Sequence, residues 1–208
     1  MTTPESELLR PLKKRLRSAA LAERRQEPQK DRNSQLIWQT ILGLPEYAAA
    51  RTVMTYLHLP DEVRTQPYLS LVWEHGKQLV VPYCAGLDLG LFLLESVSEL
   101  APGAFGILEP RLHLRGNAAR SVEVQQLDLV LVPGVAFDRR GGRLGWGKGL
   151  YDRLLRRVRP DTSLVGLAFS CQLLPEVPML ASDVYMDKVV TEIGTYCGQR
   201  SPSGRVEQ

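Results

Sequence analysis

Cysteine is scarce in this 208-residue chain: Cys84, Cys171 and Cys197 are an odd number, and no two of them form a Cys-x-x-Cys pair. That excludes a disulfide scaffold and a thiolate zinc site, and a reducing, cytoplasmic setting is the expectation. His58, His75 and His113 show no metal-ligand spacing and are read as surface or structural residues. No apolar run exceeds the length of a strand, which argues against a membrane span or a signal peptide. The N-terminus is rich in arginine, as a transit peptide would be, but Glu5, Glu7, Glu23 and Glu27 make it too acidic for one. Internal repeats are lacking as well. With 44% hydrophobic, 24% charged and 7% aromatic residues the chain sits near the globular average, unlike a disordered, collagen-like or coiled-coil protein. One α/β domain over residues 1–197, followed by a disordered Ser, Pro and Gly tail over 198–208, is expected.

A strong overall charge is missing too, because the formal net charge is +3. The balance is uneven. Arg10 to Arg32 carries nine basic and three acidic residues, and Arg139 to Arg159 carries eight basic residues against Asp152 alone. These stretches net +6 and +7, which leaves −10 on the remainder. Two basic stretches on an acidic body point to an anionic ligand.

Periodicity supplies the elements. Leu8, Leu9, Leu12, Leu16, Ala19 and Ala20 recur at helical steps between Glu5 and Gln26, which predicts an amphipathic helix with these residues as its core stripe. A second helix is predicted from Asp31 to Gly43, a third over Pro67 to His75, and a fourth over Leu150 to Val158, stopped by Pro160. Strands are predicted at Thr52–Leu57, Gln78–Val81, Leu89–Leu94 (with a turn at Asp88–Gly90), Asp128–Val132, Ser163–Phe169 and Lys188–Ile193. Their alternation with helices implies a mostly parallel central sheet flanked by helices on both faces. Ligands in such sheets bind beyond the carboxyl ends of the strands.

After the strand ending at Val132 comes Pro133-Gly-Val-Ala-Phe-Asp138, then Arg143-Leu-Gly-Trp-Gly-Lys-Gly-Leu-Tyr-Asp152 leading into a helix. Alternating glycines let main-chain N–H groups approach a ligand, and Lys148 and Arg143 can neutralise phosphate oxygens. Gly142-x-x-x-x-Gly147-Lys148 matches the start of a P-loop, but Gly149 stands where Ser or Thr would reach the metal. Asp152 reads either as a metal ligand or as a carboxylate suited to the first turn of a helix.

This segment resembles the signature of 5-formyltetrahydrofolate cyclo-ligases, also called methenyltetrahydrofolate synthetases. The resemblance continues in order through Lys13-x-x-Leu16-Arg17-x-x-x-Leu21-x-x-Arg24, Asp61-Glu62-Val63-x-Thr65, Gly76-Lys77, Glu109-Pro110 and Asp187, and so covers about residues 10 to 195. It implies an ATP- and Mg²⁺-dependent closure of 5-formyltetrahydrofolate to 5,10-methenyltetrahydrofolate, releasing ADP and phosphate. The implied sheet is similar to that of sugar-phosphate isomerases and CoA transferases, and a monomer is expected.

Residue by residue, the resemblance assigns ATP to Lys13, Lys14, Arg15, Leu16 and Arg17 on the first helix. It also assigns ATP to Arg143, Leu144, Gly145, Trp146, Gly147, Lys148, Gly149, Leu150 and Tyr151. Arg17 and Lys148 are the implied catalytic cations, with Arg17 also near the folate or its formyl group. Leu57, Glu62, Trp146, Gly147, Lys148, Gly149 and Leu150 are the implied folate contacts, Glu62 accepting from the pterin edge. Asp152 and Asp187 are the implied Mg²⁺ ligands. Without the resemblance, Lys13 and Arg17 would read as solvated helix charges, and Glu62 as a loop carboxylate. Two positions depart from the family pattern. Leu150 replaces the first of an aromatic pair, and Trp146 stands where Arg or a small residue is common, so both make the folate side more apolar.

Two other classes fit parts of the pattern. A nucleic-acid binder would use both basic stretches, but no RNA-binding signature or set of stacking aromatics accompanies them. A sugar-phosphate isomerase or acyl-CoA transferase relative would need a catalytic carboxylate where this chain has a lysine-glycine loop.

Overall fold

A computed structural model describes residues 4–103 and 106–200. The chain begins with α1 (Pro4–Gln26), α2 (Lys30–Leu42) and α3 (Pro45–Ala49). Strand β1 (Thr52–Met54) is shorter than the Thr52–Leu57 pattern predicts. Thr55 N still donates to Val80 O at 3.0 Å, after which the chain leaves the ladder. A turn of 3₁₀-helix at Gln66–Tyr68 precedes α4 (Leu69–Glu74). β2 (Gln78–Ala85) runs straight through Pro82 into an antiparallel hairpin with β3 (Asp88–Leu94). Its turn is Gly86–Leu87, not the expected Asp88–Gly90, because Ala85 pairs with Asp88 and Gly90 is already in the strand.

A small hairpin, β4 (Leu100–Pro102) and β5 (Leu108–Pro110), follows. β6 (Leu129–Pro133) leads into β7 (Ala136–Asp138) and β8 (Arg143–Leu144). Helix α5 (Leu150–Leu155) ends earlier than the predicted Val158. β9 (Ser163–Leu167), β10 (Leu173–Leu174), β11 (Lys188–Thr191) and β12 (Gly194–Cys197) complete the chain.

The main sheet has the order β12-β11-β9-β6-β1-β2-β3, and β7, β8 and β10 form a small sheet of their own. β11, β9, β6, β1 and β2 are parallel, while β12 and β3 pair antiparallel at the two edges. Alternation along β6 sends Leu129 and Leu131 to one face, and Val130 and Val132 to the other. The first face packs on Ile37, Trp38 and Ile41 of α2 and on Leu69 and Val72 of α4. The second packs on Leu154 and Leu155 of α5. Both faces are covered, which is why the central strands are continuous apolar runs, each buried side chain contributing roughly 1.5–3 kcal/mol.

Helix α1 lies over the small sheet, where Leu16, Ala20 and Leu21 meet Val135, Ala136 and Leu144. Its predicted leucine stripe is only partly the buried face: Leu8 is 79% exposed and Ala19 is exposed, whereas Lys13, Ala20 and Arg24 are buried. Carbonyl oxygens and carboxylates at the surface it docks on receive these cations, so polarity overrides the apolar pattern.

Gly198 to Arg200, expected to begin the disordered tail, are tied down. Gly198 N donates to Asp187 O at 2.7 Å, Gln199 N to Arg140 O at 2.8 Å, and Arg200 pairs with Asp187 at 2.8 Å. Gly141 and Gly198 close on the Met186 carbonyl so tightly that a Cβ on either would fall 2.4 or 1.9 Å from that oxygen. The rest of the expected tail, 201–208, lies outside the described residues.

Candidate active site

A cleft of about 540 Å³ opens at the carboxyl ends of β1, β2 and β6. Tyr56 and Leu57 reach it from the segment after β1, Pro82, Tyr83 and Cys84 from β2, and Pro133 from β6. The glycine segment from Gly145 to Gly149 forms one wall and feeds α5. Gly147 (φ +93°) and Gly149 (φ +67°) hold left-handed conformations that a residue with a Cβ adopts only under strain. The path of the loop therefore depends on glycine at both positions.

Buried charge braces this loop. Arg143, 5% exposed, donates to Asp152 Oδ1 at 2.6 Å and so ties β8 to the first turn of α5. Arg17 Nε donates to Gly145 O at 2.7 Å, clamping α1 onto the loop. Burial lowers the Arg17 pKa from its ordinary value, with Asp183 and Asp152 opposing, and the guanidinium stays charged. Lys13 pairs with Asp183 at 2.5 Å. Lys14 and Arg15 are exposed on the outer side of α1. Leu16 and Leu144 are packed in the core beneath the loop, so Leu144 offers a ligand only its backbone. Lys148 and Trp146 are exposed, with Leu150 and Tyr151 half-buried along the same wall.

Glu62 is 6% exposed and opens onto the same cleft. It sits in the loop after β1 and accepts from Leu59 N at 3.0 Å. Burial pushes its pKa up, while the Leu59 N–H, the Arg24 charge and the Trp146 indole N–H oppose the rise. Among the described residues the buried Tyr151 hydroxyl has no hydrogen-bond partner, and burial followed by the Glu62 charge raises its pKa.

Asp152 and Asp187 are not brought together. Asp152 lines the cleft, whereas Asp187 precedes β11 at the amino ends of the parallel strands. There its carboxylate accepts from Leu164 N at 2.7 Å and from Arg200 at 2.8 Å. The two aspartates expected to share a metal ion thus stand at opposite ends of the parallel strands.

Arg24 was not assigned a role by the sequence pattern, although it reaches both Glu62 and Trp146. A signal was present: Lys13, Arg17 and Arg24 follow at four- and seven-residue steps, which puts all three on one helix face. Tyr83 and Cys84 carry no comparable signal, since the sequence pattern ends this strand at Val81, before Pro82.

A sequence model of the 5-formyltetrahydrofolate cyclo-ligase family matches residues 5–192. The chain belongs to that family. Among its cyclo-ligase relatives, the 5-formyltetrahydrofolate cyclo-ligase of Escherichia coli K12 is 35% identical over 155 residues, covering 73% of this chain and 83% of the relative. The mouse 5-formyltetrahydrofolate cyclo-ligase is 30% identical over 200 residues, covering 87% and 90%. The solution structure of 5,10-methenyltetrahydrofolate synthetase from Aquifex aeolicus superposes with a TM-score of 0.79 at 35% identity, over 95% of this chain and 96% of that one. A synthetase from Mycoplasma pneumoniae shares the fold, with a TM-score of 0.69 at 22% identity over 86% and 98%.

Proposed function

We propose that this protein is a working cyclo-ligase that converts 5-formyltetrahydrofolate to 5,10-methenyltetrahydrofolate, with ATP cleaved to ADP and phosphate. The formyl oxygen attacks the γ-phosphorus and the bond to ADP breaks. N10 then adds to the activated carbon, and phosphate departs with the former formyl oxygen. A loose phosphoryl transition state spreads charge over its oxygens, so the protein's contribution is positioning and positive charge, with no nucleophile of its own.

The observation that carries this reading is one cleft that holds both a buried carboxylate, Glu62, and the lysine-glycine loop, with apolar Leu57, Leu59 and Ile107 also lining it. A carboxylate suits the paired donors of a pterin edge. The loop from Arg143 to Tyr151 suits phosphates, with Lys148 and Arg17 as its two catalytic cations. Arg17, clamped on the Gly145 carbonyl, and Lys13 beside it border the nucleotide from α1, whereas Lys14 and Arg15 face outward. Arg143 acts through Asp152, which it holds in place.

The donor set fits a magnesium ion, because Asp152 lines the cleft beside the loop, and Mg²⁺ is ordinarily held by one or two carboxylates together with substrate phosphates. Asp152 would hold the ion, whose chemistry is neutralisation of phosphate oxygens. Asp187 takes no part. A nucleic-acid interface is disfavoured because Lys13, Arg24 and Arg143 are buried rather than arrayed outward. Among the described residues no helix is long and apolar enough to cross a membrane.

The test is growth of methenyl absorbance when purified protein meets 5-formyltetrahydrofolate, ATP and Mg²⁺, with each component omitted in turn. Folded protein that gives no turnover, and instead binds RNA in a salt-sensitive way, would overturn the proposal.

A further inference from the structure

We propose that Arg24 is a positioning residue for folate recognition, holding the Glu62 carboxylate and the Trp146 indole together at the pterin end of the cleft. This rests on the reading of Glu62 as the pterin acceptor. Arg24 lies in the last turn of α1 and is 2% exposed. Its Nη1 donates to Gly134 O at 3.2 Å and stands 3.6 Å from Glu62 Oε1, and its Cζ lies 5.6 Å from the centre of the Trp146 ring. Its Nε has no hydrogen-bond partner among the described residues.

A buried arginine kept only as a structural bridge makes a close ion pair, because an uncompensated charge is costly in a dry interior. Two other arginines of this chain do so, although the Arg143 Nε, like that of Arg24, has no hydrogen-bond partner among the described residues. Arg143 meets Asp152 at 2.6 Å, and Arg120 meets Glu99 at 2.6 Å and Glu95 at 2.8 Å. Arg24 instead keeps a longer approach to Glu62, while lying over an aromatic ring as Arg143 and Arg120 also do. It therefore compensates the carboxylate's charge without occupying it. Oε2 of Glu62 takes the Leu59 N–H, and Oε1 faces Arg24.

The charged and titratable groups acting on Glu62 come from three elements. Arg24 comes from α1, and the phenols of Tyr56, after β1, and Tyr151, on α5, interact with its charge. Both phenols are neutral at ordinary pH, since burial raises their pKa values. Arg24 is thus the cation that offsets the burial of Glu62, and an ionised Glu62 is what two pterin donors require. Trp146, beside Glu62 on the cleft wall and resting on Arg24, is placed to cover a flat ring seated on the carboxylate.

Steady-state kinetics on Arg24→Met, Arg24→Lys, Glu62→Gln and the Arg24→Met/Glu62→Gln double variant test this. Arg24→Met is expected to raise the KM for 5-formyltetrahydrofolate by roughly tenfold or more while the KM for ATP moves by less than about twofold. Its folate KM should climb as pH falls from about 8 to about 6, because Glu62 without its counter-charge takes up a proton more readily. Adding Glu62→Gln should abolish that slope, and Arg24→Lys should restore most of the wild-type KM. Should Arg24→Met fail to fold, Arg24→Lys and Arg24→Gln carry the same comparison, with melting temperature measured alongside. Parallel rises in both KM values, an unchanged folate KM, or a pH slope that survives Glu62→Gln would overturn the assignment. Wild-type protein without turnover refutes the folate reading itself, whereas wild-type turnover with a normal folate KM in Arg24→Met refutes the role of Arg24 alone.

Discussion

The two ends of the sheet use aspartate and arginine differently. At the carboxyl ends of the strands, Asp152 meets Arg143 at 2.6 Å, and the pair shapes a loop beside an open cleft. At the amino ends, Asp187 meets Arg200 at 2.8 Å and also caps the Leu164 N–H, while Asp128 meets Arg159 at 2.8 Å and caps the Arg51 and Thr52 N–H groups. The same residue types therefore brace a binding loop at one end and stitch neighbouring strands together at the other. The location relative to strand direction, rather than the chemistry of the pair, decides which role a carboxylate has.

Substitution can break this contrast. Lys148→Ala should have the largest effect, lowering kcat/KM by about a hundredfold to a thousandfold, as expected when a charge aimed at a developing oxyanion is removed. Its melting temperature should barely move, and a large drop would make Lys148 structural.

Asp152→Asn and Asp187→Asn should then separate cleanly. The first is expected to cut kcat/KM by roughly tenfold to a hundredfold and to raise the Mg²⁺ concentration needed for half-maximal rate. The second should leave kcat/KM intact but lower unfolding free energy by about 1–3 kcal/mol in denaturant titrations. Equal activity losses would mean that Asp187 reaches the chemistry.

A smaller effect concerns the loop that carries Glu62. His58 Nδ1 accepts from Thr65 N at 3.0 Å, and burial, with Arg64 nearby, lowers its pKa to about 4. Between an ordinary pKa of about 6.5 and that value the unfolded chain takes up a proton and the folded one does not, so stability falls as pH falls. After a discount for solvent screening the loss is roughly 1–2 kcal/mol, and a pH series of melting curves should lose that slope in His58→Asn.

The smallest change belongs to the outer face of α1. Leu8→Lys should alter stability by no more than about 0.5 kcal/mol, because Leu8 is 79% exposed. A loss of several kcal/mol would restore the leucine stripe to the core.

Much of this was legible beforehand. Runs such as Leu129 to Val132 announce a doubly covered strand, and the Gly145 to Gly149 alternation announces a ligand loop, since both patterns follow from local rules. What escaped depends on tertiary placement. β12 is four residues long with alternating half-buried and exposed positions at a sheet edge, too weak a pattern to stand out. Asp187 looked equivalent to Asp152 because nothing in a linear motif states which end of a strand will face the ligand. The cationic face of α1 was hidden by leucines at overlapping helical spacing, and only the acceptors at Gly134, Gly145, Glu62 and Asp183 reveal which side docks.

The interlock of Gly141 and Gly198 around the Met186 carbonyl bears on how this chain can be handled. It sets a boundary for protein engineering: a tag appended beyond Arg200 leaves the clasp untouched, whereas trimming back to Cys197 removes one of its jaws. Trimming there also deletes the arginine that neutralises Asp187, so a shortened chain would lose its clasp and an ion pair in a single cut.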